Sequence, residues 1–458
     1  MTRALAVFDL GKTNAKLVLF SETGELLAER RTHQGSRPVD GLRCLDVEGV
    51  EGWLRAALDD LGRSFDLTGL MITTHGCAFA LIRDGRLAAP ILDYEQPVPP
   101  DADRAFADVA PPFAETFSPD LPGGLNFARH IFLREWLAPG MVSGADHILS
   151  YPQYWVWRLS GALASEISFL GCHSHLWNPL AADYSSLVDQ MGWRAKFPAL
   201  RPAGEVLGTM RVGGRDLPVH NGVHDSNAAF HFYLSLGFSR FTLVSTGTWV
   251  IVLNPDCPLS ALDPARDMLA NVTSRGEPVA TARFMGGREY DVISDHARTV
   301  VADEVVAAAV AEGRMALPSF APGGPFPGST GRIDNLSGRP DDRAALATLY
   351  VALMADIALD NLNSVGDVVI DGGLAQNRGL LGLLAALRPG QRLYSTTSPE
   401  GTAMGAAALA FKAQRKERVF PSRLALVDGH APPGLGAYRV RWRERAAPAS
   451  VTVTPGGT

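Results

Sequence analysis

The apolar positions of Leu5 to Phe20, LAVFDLGKTNAKLVLF, fall in two runs split by Gly-Lys-Thr-Asn, a pattern that predicts a β-hairpin with a polar tip. Phe241 to Leu253, FTLVSTGTWVIVL, repeats it, with Ser245, Thr246, Gly247 and Thr248 as the small polar turn between two apolar strands. The two hairpins share a pattern rather than identity, and their separation lies far outside solenoid periods, so they predict two related domains joined near residues 231 to 240. A third pattern, VVIDGGLAQNRGLLGLLAAL from Val368 to Leu387, is a short apolar strand that meets Gly372 and Gly373 and then a Leu/Ala-rich helix. Leu346, Leu349, Leu353 and Ile357, after Pro340 and before Gly366, predict an amphipathic helix over Asp341–Asn363. The Pro/Gly-rich stretch Leu317–Pro340 reads as an ordered surface excursion or lid-side loop, and the tail after His430 as partly loose.

A chain of 458 residues is too long for one core, so the expected domains are 1–235 and 236–458, with a cleft between them for chemistry. Hydrophobic residues at 46% and charged residues at 20% describe a folded globular protein. The net charge of −6, without a basic run, argues against nucleic-acid or anionic-membrane partners and for a small-molecule ligand. Cys44, Cys77, Cys172 and Cys257 are widely spaced, which suggests neither a disulfide framework nor a zinc site and points to a reducing compartment. The start MTRALAVFDLG lacks the regions of a signal peptide, and no run reaches the about 18 apolar residues of a membrane span. The expected location is the cytoplasm.

The first hairpin tip offers the backbone N–H groups, hydroxyl and ammonium of Gly11, Lys12, Thr13 and Asn14 to a phosphate, beside Asp9, which could hold Mg²⁺ through water. A Walker P-loop is rejected, because it needs a glycine five positions before Gly11, where Ala6 stands. The tip alone reads equally as an ordinary turn; its recurrence at Gly247 favours a ligand. Gly372 and Gly373 let backbone amides approach a ligand closely. Asp225, ahead of Ser226, Asn227 and a small-residue helix, is either an N-cap or a carboxylate facing a ligand. Cys172, His173 and His175 cannot all reach one ion from a regular strand or helix, so packing is the preferred reading. No H-E-x-x-H, Gly-x-Ser-x-Gly or Gly-x-Gly-x-x-Gly occurs in a convincing context, which argues against zinc protease, serine hydrolase and dinucleotide enzymes.

Two phosphate-sized turns followed by a strand–Gly–Gly–helix unit resemble the ATPase core of sugar kinases, actin and Hsp70 chaperones. The segments GLMITTHGCAFALIRDGRLAAPI, GVHDSNAAF, VSTGTW, DGGLAQN and GTAMGAA, in this order over nearly the whole chain, resemble the FGGY family of carbohydrate kinases, most of all its rhamnulokinase and fuculokinase branch. The resemblance implies an α/β fold of two actin-like (ribonuclease H-like) domains with an interdomain cleft. It implies ATP and Mg²⁺ as cofactors, with phosphates against Gly11 to Asn14 and Gly247 to Thr248, and adenosine against Gly372, Gly373 and Asn377. Asp225 would be the general base that takes a sugar hydroxyl proton. His224 would hydrogen-bond substrate, and His75 and Gly76 would form the sugar-side hairpin tip, although core or turn roles stay open for all three. Two segments depart from the family: ARFMGGREYD puts Arg283 or a neighbour where rhamnulokinases supply an asparagine, and ILDYEQ replaces Trp-x-Asp-x-Arg. Asp93 and Glu95 are then sugar-hydroxyl acceptors or surface acids. The expected substrate is a small sugar, a ketose such as an L-ketohexose, ketopentose or tetrulose, or a polyol, and the expected assembly a monomer or homodimer. A sugar sensor and a partner-driving ATPase are the rival readings on the same fold.

Overall fold

The computed structural model describes residues 1–121, 123–297, 301–339, 341–396, 400–414 and 424–447. The chain forms two compact units: Met1–Phe238 with Ala270–Val279 and Glu400–Ser422, and Ser239–Leu269 with Ala280–Pro399 and Arg423–Thr458.

In the first unit, β1 (Thr2–Leu10), β2 (Asn14–Ser21) and β3 (Leu26–His33) form an antiparallel meander. With β4 (Phe65–Thr74), β5 (Val206–Val212) and β6 (Arg215–His220) the sheet order is β5-β6-β4-β1-β2-β3, and β7 (Val223–His224) also pairs with β4. β1 runs parallel to β4, so Asp9 lies beside Thr73, and β7 runs parallel to β4, so His224 lies beside Thr74. Residues 4–10 of β1 are all buried, as expected of a strand covered on both faces. Helix Val47–Leu61 buries Val47, Val50, Leu54, Ala57, Leu58 and Leu61, the three-and-four spacing of one helical face, and starts at Asp46, whose carboxylate accepts from Gly49 N at 3.3 Å.

The second unit repeats this core. β8 (Phe241–Thr246) pairs antiparallel with β9 (Val250–Asn254), β9 with β11 (Pro278–Phe284), and β8 runs parallel to β12 (Asp367–Gly372). With β10 (Met268–Val272), β13 (Leu393–Thr396) and β14 (Leu424–Leu426) the order is β10-β11-β9-β8-β12-β13-β14. Both predicted hairpins are present, and each leads its sheet.

Three features differ from the sequence pattern. The second segment of the sequence-based division, 236–458, contributes Ala270–Val279 and Glu400–Ser422 to the first unit. Helix Gly401–Ala413 belongs there because a Cβ on Gly405 would sit 1.8 Å from Ala228 O, so only a glycine lets it lie against helix Asp225–Ser235. Helix Asp342–Asn361 is not amphipathic: alanines 344, 345, 347, 352 and 355 bury the faces that its leucines leave. Among the described residues it is the one helix long and apolar enough to cross a membrane, and 83% of that window is buried inside protein, as a core helix would be. The tail is described to residue 447; there Leu435–Ala446 is a helix whose fully buried Trp442 donates from Nε1 to Ala316 O at 2.6 Å. Residues 448–458 lie outside the described part.

Candidate active site

In the first unit the topology gathers three predicted residues at one sheet edge. Asp9 nears the end of β1, His75 follows β4, and Asp225 follows β7, three neighbouring parallel strands whose carboxyl ends point the same way, the usual ligand end of such sheets. A Cβ on Gly76 would stand 2.8 Å from His224 Nε2, so the missing side chain makes room for the imidazole. Asp225 is the first residue of helix Asp225–Ser235, whose cap position is His224 and carries no side-chain cap bond. Its Oδ1 accepts from Ser226 N at 2.6 Å and Ser226 Oγ at 3.2 Å, and faces His224 Nε2 at 3.2 Å. Among the described residues nothing donates to Oδ2, so one carboxylate oxygen is pinned and the other is open. Burial disfavours a charge on His224, but Cys172, the Asp225 carboxylate and Asn227 outweigh it and push this histidine up to about 9.

His75 is only 6% exposed; its Nδ1 donates to Gly76 O at 3.0 Å, and its ring lies edge-on to Tyr94. Burial pushes it below the usual histidine range, so it is a neutral imidazole whose Nε2 can accept. Asp9 is buried, and burial pushes its carboxyl up to about 6, with Asp225 and Glu400 adding to the rise and Lys16, 3.5 Å away, opposing it. Glu400 is already paired with Lys16 at 2.9 Å and Arg31 at 3.2 Å, and among the described residues no three ligating side chains gather as a metal site, so Asp9 and Asp225 offer carboxylate oxygens that suit a hard divalent cation held through water rather than by a protein cage.

The first hairpin tip closes through Gly11 N to Asn14 O at 2.9 Å, and Asn14 Nδ2 donates to Thr13 Oγ1 at 3.1 Å. Lys12 departs from its expected role. Its ammonium pairs with Asp93 and, at 3.4 Å, with Glu95, and lies 4.4 Å from the Tyr94 ring centre, rather than standing free for a phosphate. Asp93 is fully buried and also accepts from Ser36 and, at 3.0 Å, from Arg43, which spends it on structure and not on a sugar hydroxyl. Glu95 pairs with Arg43 at 2.8 Å.

In the second unit a cavity of about 680 Å³ is lined by Gly247, Thr248, Gly287, Arg288, Tyr290, Asp291, Gly373, Leu374, Gln376, Asn377 and Arg378. This volume suits a nucleotide. Gly247 and Gly373 follow the carboxyl ends of the paired strands β8 and β12, with Thr246 opposite Gly372. Gly372 has φ +87°, and a Cβ there would meet Thr246 O at 1.9 Å, so this turn requires glycine. Asn377 caps helix Arg378–Leu387 by accepting from Leu380 N at 3.0 Å. Helix Gly286–Ser294 begins at the cavity, with its cap residue Met285 making no side-chain bond, so its first N–H groups are uncapped. A Cβ on Gly287 would stand 2.1 Å from Gly247 O, which packs this helix start onto the second hairpin tip. The sequence reading missed Gly287, Arg288, Asp291, Gln376 and Arg378; the paired glycines of MGGRE were the available signal. Arg283 lies on β11, its guanidinium bound to Asp267 at 2.8 Å and 4.6 Å from the Trp249 ring centre, so it too is held in an internal pair rather than free for a substrate.

The chain matches the family model described as carbohydrate kinase FGGY, C-terminal domain, over residues 238–418. Its structure is similar to that of a carbohydrate kinase from Novosphingobium aromaticivorans, with a TM-score of 0.90 and 34% identity over 97% of this chain and 98% of that one. A ligand-bound xylulose kinase from Lactobacillus acidophilus superposes with a TM-score of 0.78 at 14% identity, covering 97% of each chain. Plasmodium falciparum glycerol kinase with ADP gives 0.77 at 11% identity, again over 97% of each, and these two likenesses show the fold alone. No curated protein sequence matches the chain.

Proposed function

The chain belongs to the FGGY family of carbohydrate kinases, and on that premise we propose that it phosphorylates a small ketose or polyol with Asp225 as general base. ATP is the phosphoryl donor of this family. The observation that carries the reading of Asp225 is its divided carboxylate: Oδ1 faces Ser226 N, Ser226 Oγ and His224 Nε2, and Oδ2 has no donor among the described residues. In the proposed step the sugar hydroxyl oxygen bonds to the γ-phosphorus, the bond from phosphorus to the bridging oxygen of ADP breaks, and the hydroxyl proton passes to Oδ2. His75 Nε2 accepts from a neighbouring sugar hydroxyl. The nucleotide is read onto the cavity around Gly247, Thr248, Gly373 and Asn377, where the N–H groups at the start of helix Gly286–Ser294, Arg288 and Arg378 supply positive charge for phosphates. Asp9 would hold Mg²⁺ through water, and the ion when bound would offset the phosphate charge. Four free, buried cysteines support a reducing, cytoplasmic setting.

The test is ADP release by purified protein with Mg²⁺-ATP and ketoses, aldoses and polyols of four to six carbons, beside Asp225→Ala. Release with one acceptor that falls about 10²- to 10⁴-fold in the variant, with its melting transition kept, is the expected result. Undiminished turnover in Asp225→Ala would remove the base assignment.

A further inference from the structure

Asn227 lies on the first turn of helix Asp225–Ser235 and is 2% exposed. Its amide has one possible orientation. Nδ2 donates to Val272 O and, at 3.0 Å, to Asn271 Oδ1. A backbone carbonyl only accepts, and Asn271 Oδ1 is itself fixed as an acceptor by Val272 N at 2.8 Å. Asn227 Oδ1 is therefore the atom 2.5 Å from His224 Nδ1, and Nδ1 must carry a hydrogen. The other ring nitrogen, Nε2, stands 3.2 Å from Asp225 Oδ1. This is an ion-pair distance without the alignment of a hydrogen bond, so the attraction is that of a charged ring for a carboxylate, whereas a neutral ring would set its electron-rich Nε2 edge beside the oxygen.

We propose that Asn227, anchored on Asn271 and the Val272 carbonyl, is a positioning residue that holds His224 doubly protonated against Asp225. The imidazolium draws Oδ1 to itself, leaving Oδ2 for the acceptor hydroxyl. The other titratable groups near the ring are Cys172 and His173, the latter with its ring centre 6.3 Å away, and Phe169 covers the ring edge-on. The role in turnover rests on Asp225 as base; the protonation of His224 does not.

The experiment is a long-range proton–nitrogen spectrum of protein labelled with ¹⁵N-histidine at pH 7.5, the His224 signals being those lost in His224→Gln. Wild type is expected to show both ring nitrogens protonated. Asn227→Leu is expected to show one bare nitrogen, a kcat lower by roughly 10- to 100-fold, a KM for ATP within about twofold, and an alkaline limb of kcat moved to lower pH. Asn227→Asp keeps an oxygen at Nδ1 but sets its second oxygen against Val272 O and Asn271 Oδ1, so it is expected to keep His224 doubly protonated while lowering stability and rate. A bare nitrogen in wild type overturns the proposal whether or not any variant folds, and so does an Asn227→Leu protein with a doubly protonated His224 and normal kcat. If Asp225→Ala stays active while Asn227→Leu neutralises His224, the base assignment fails and the protonation device stands.

Discussion

Lys12 sits at the tip of a phosphate-sized turn, yet its ammonium goes to Asp93, and the reason is the cost of the alternative. An unpaired carboxylate with no solvent exposure costs several kcal/mol, more than a lysine gains by waiting for a ligand in water. Burial pushes Asp93 up, and the donors Lys12, Ser36 and the Glu95 N–H override it and hold it at about 2. Lys12→Met is expected to cost about 1–3 kcal/mol, less than a fully orphaned charge because Arg43 remains at 3.0 Å, and the shift of the denaturant midpoint measures it. A depressed carboxylate stabilises above its unfolded pKa of about 3.9, so this loss is full at neutral pH and fades as pH falls from about 4 toward 2. KM for ATP should change less than about tenfold; a fully stable variant with KM raised a hundredfold would return Lys12 to the phosphate. Asp9 was legible because it interrupts an apolar run, whereas His75 and Asp225 were marked by the resemblance of GLMITTHGCAFALI and GVHDSNAAF to the kinase family, the residues alone leaving them turn and cap positions. The partners of Lys12 and Arg283 were not, since Asp93 lies 81 residues from one and Asp267 16 from the other, and no local pattern marks either pair.

Helix Gly401–Ala413 presses its backbone onto the helix that begins with Asp225. Adding one methyl at Gly405 would force the pair apart at Ala228, three residues from the proposed base. Gly405→Ala is expected to cost about 1–3 kcal/mol and to lower kcat with it, read by urea unfolding and by ADP release. A variant with normal stability and rate would show that the helix pair yields freely. At this scale the hairpins and the strand–Gly–Gly–helix unit were legible because their periodicity is local. The buried state of Asp342–Asn361 was not, because alanine is neutral in a hydrophobic pattern and only the neighbouring elements decide whether its face is covered. The tail helix did show a stripe, Leu435, Tyr438, Trp442 and Ala446, but the Pro/Gly content before it masked the spacing.

Across the whole molecule the buried histidines are distributed unevenly. In the first unit burial pushes His130, His175 and His231 down to about 4, and lowers His75 and His220 as well. These stay neutral in the folded chain while the unfolded chain takes protons near pH 6.5, so their cost grows as pH falls from about 6.5 to 4. Glu166, pushed up to about 7, Asp9, to about 6, and His224, to about 9, act with the opposite sign but are outnumbered. Hydrogen exchange from pH 7 to pH 5 should therefore show protection in the β1–β4 sheet falling ahead of the β8–β12 sheet; the reverse order would contradict this distribution. The division of the chain has a further result. The first unit takes residues from three stretches, the last of which begins at Glu400. A ribosome adding about 5–20 residues per second therefore needs roughly 10–35 s after Phe238 before the Gly405 helix exists to cover its partner. For that interval the helix carrying Asp225 is made but lacks the partner that covers it, so a chain stopped ahead of Glu400 is expected to leave the first unit unfolded as well as the second shortened, an outcome that limited proteolysis of the truncated chain reads.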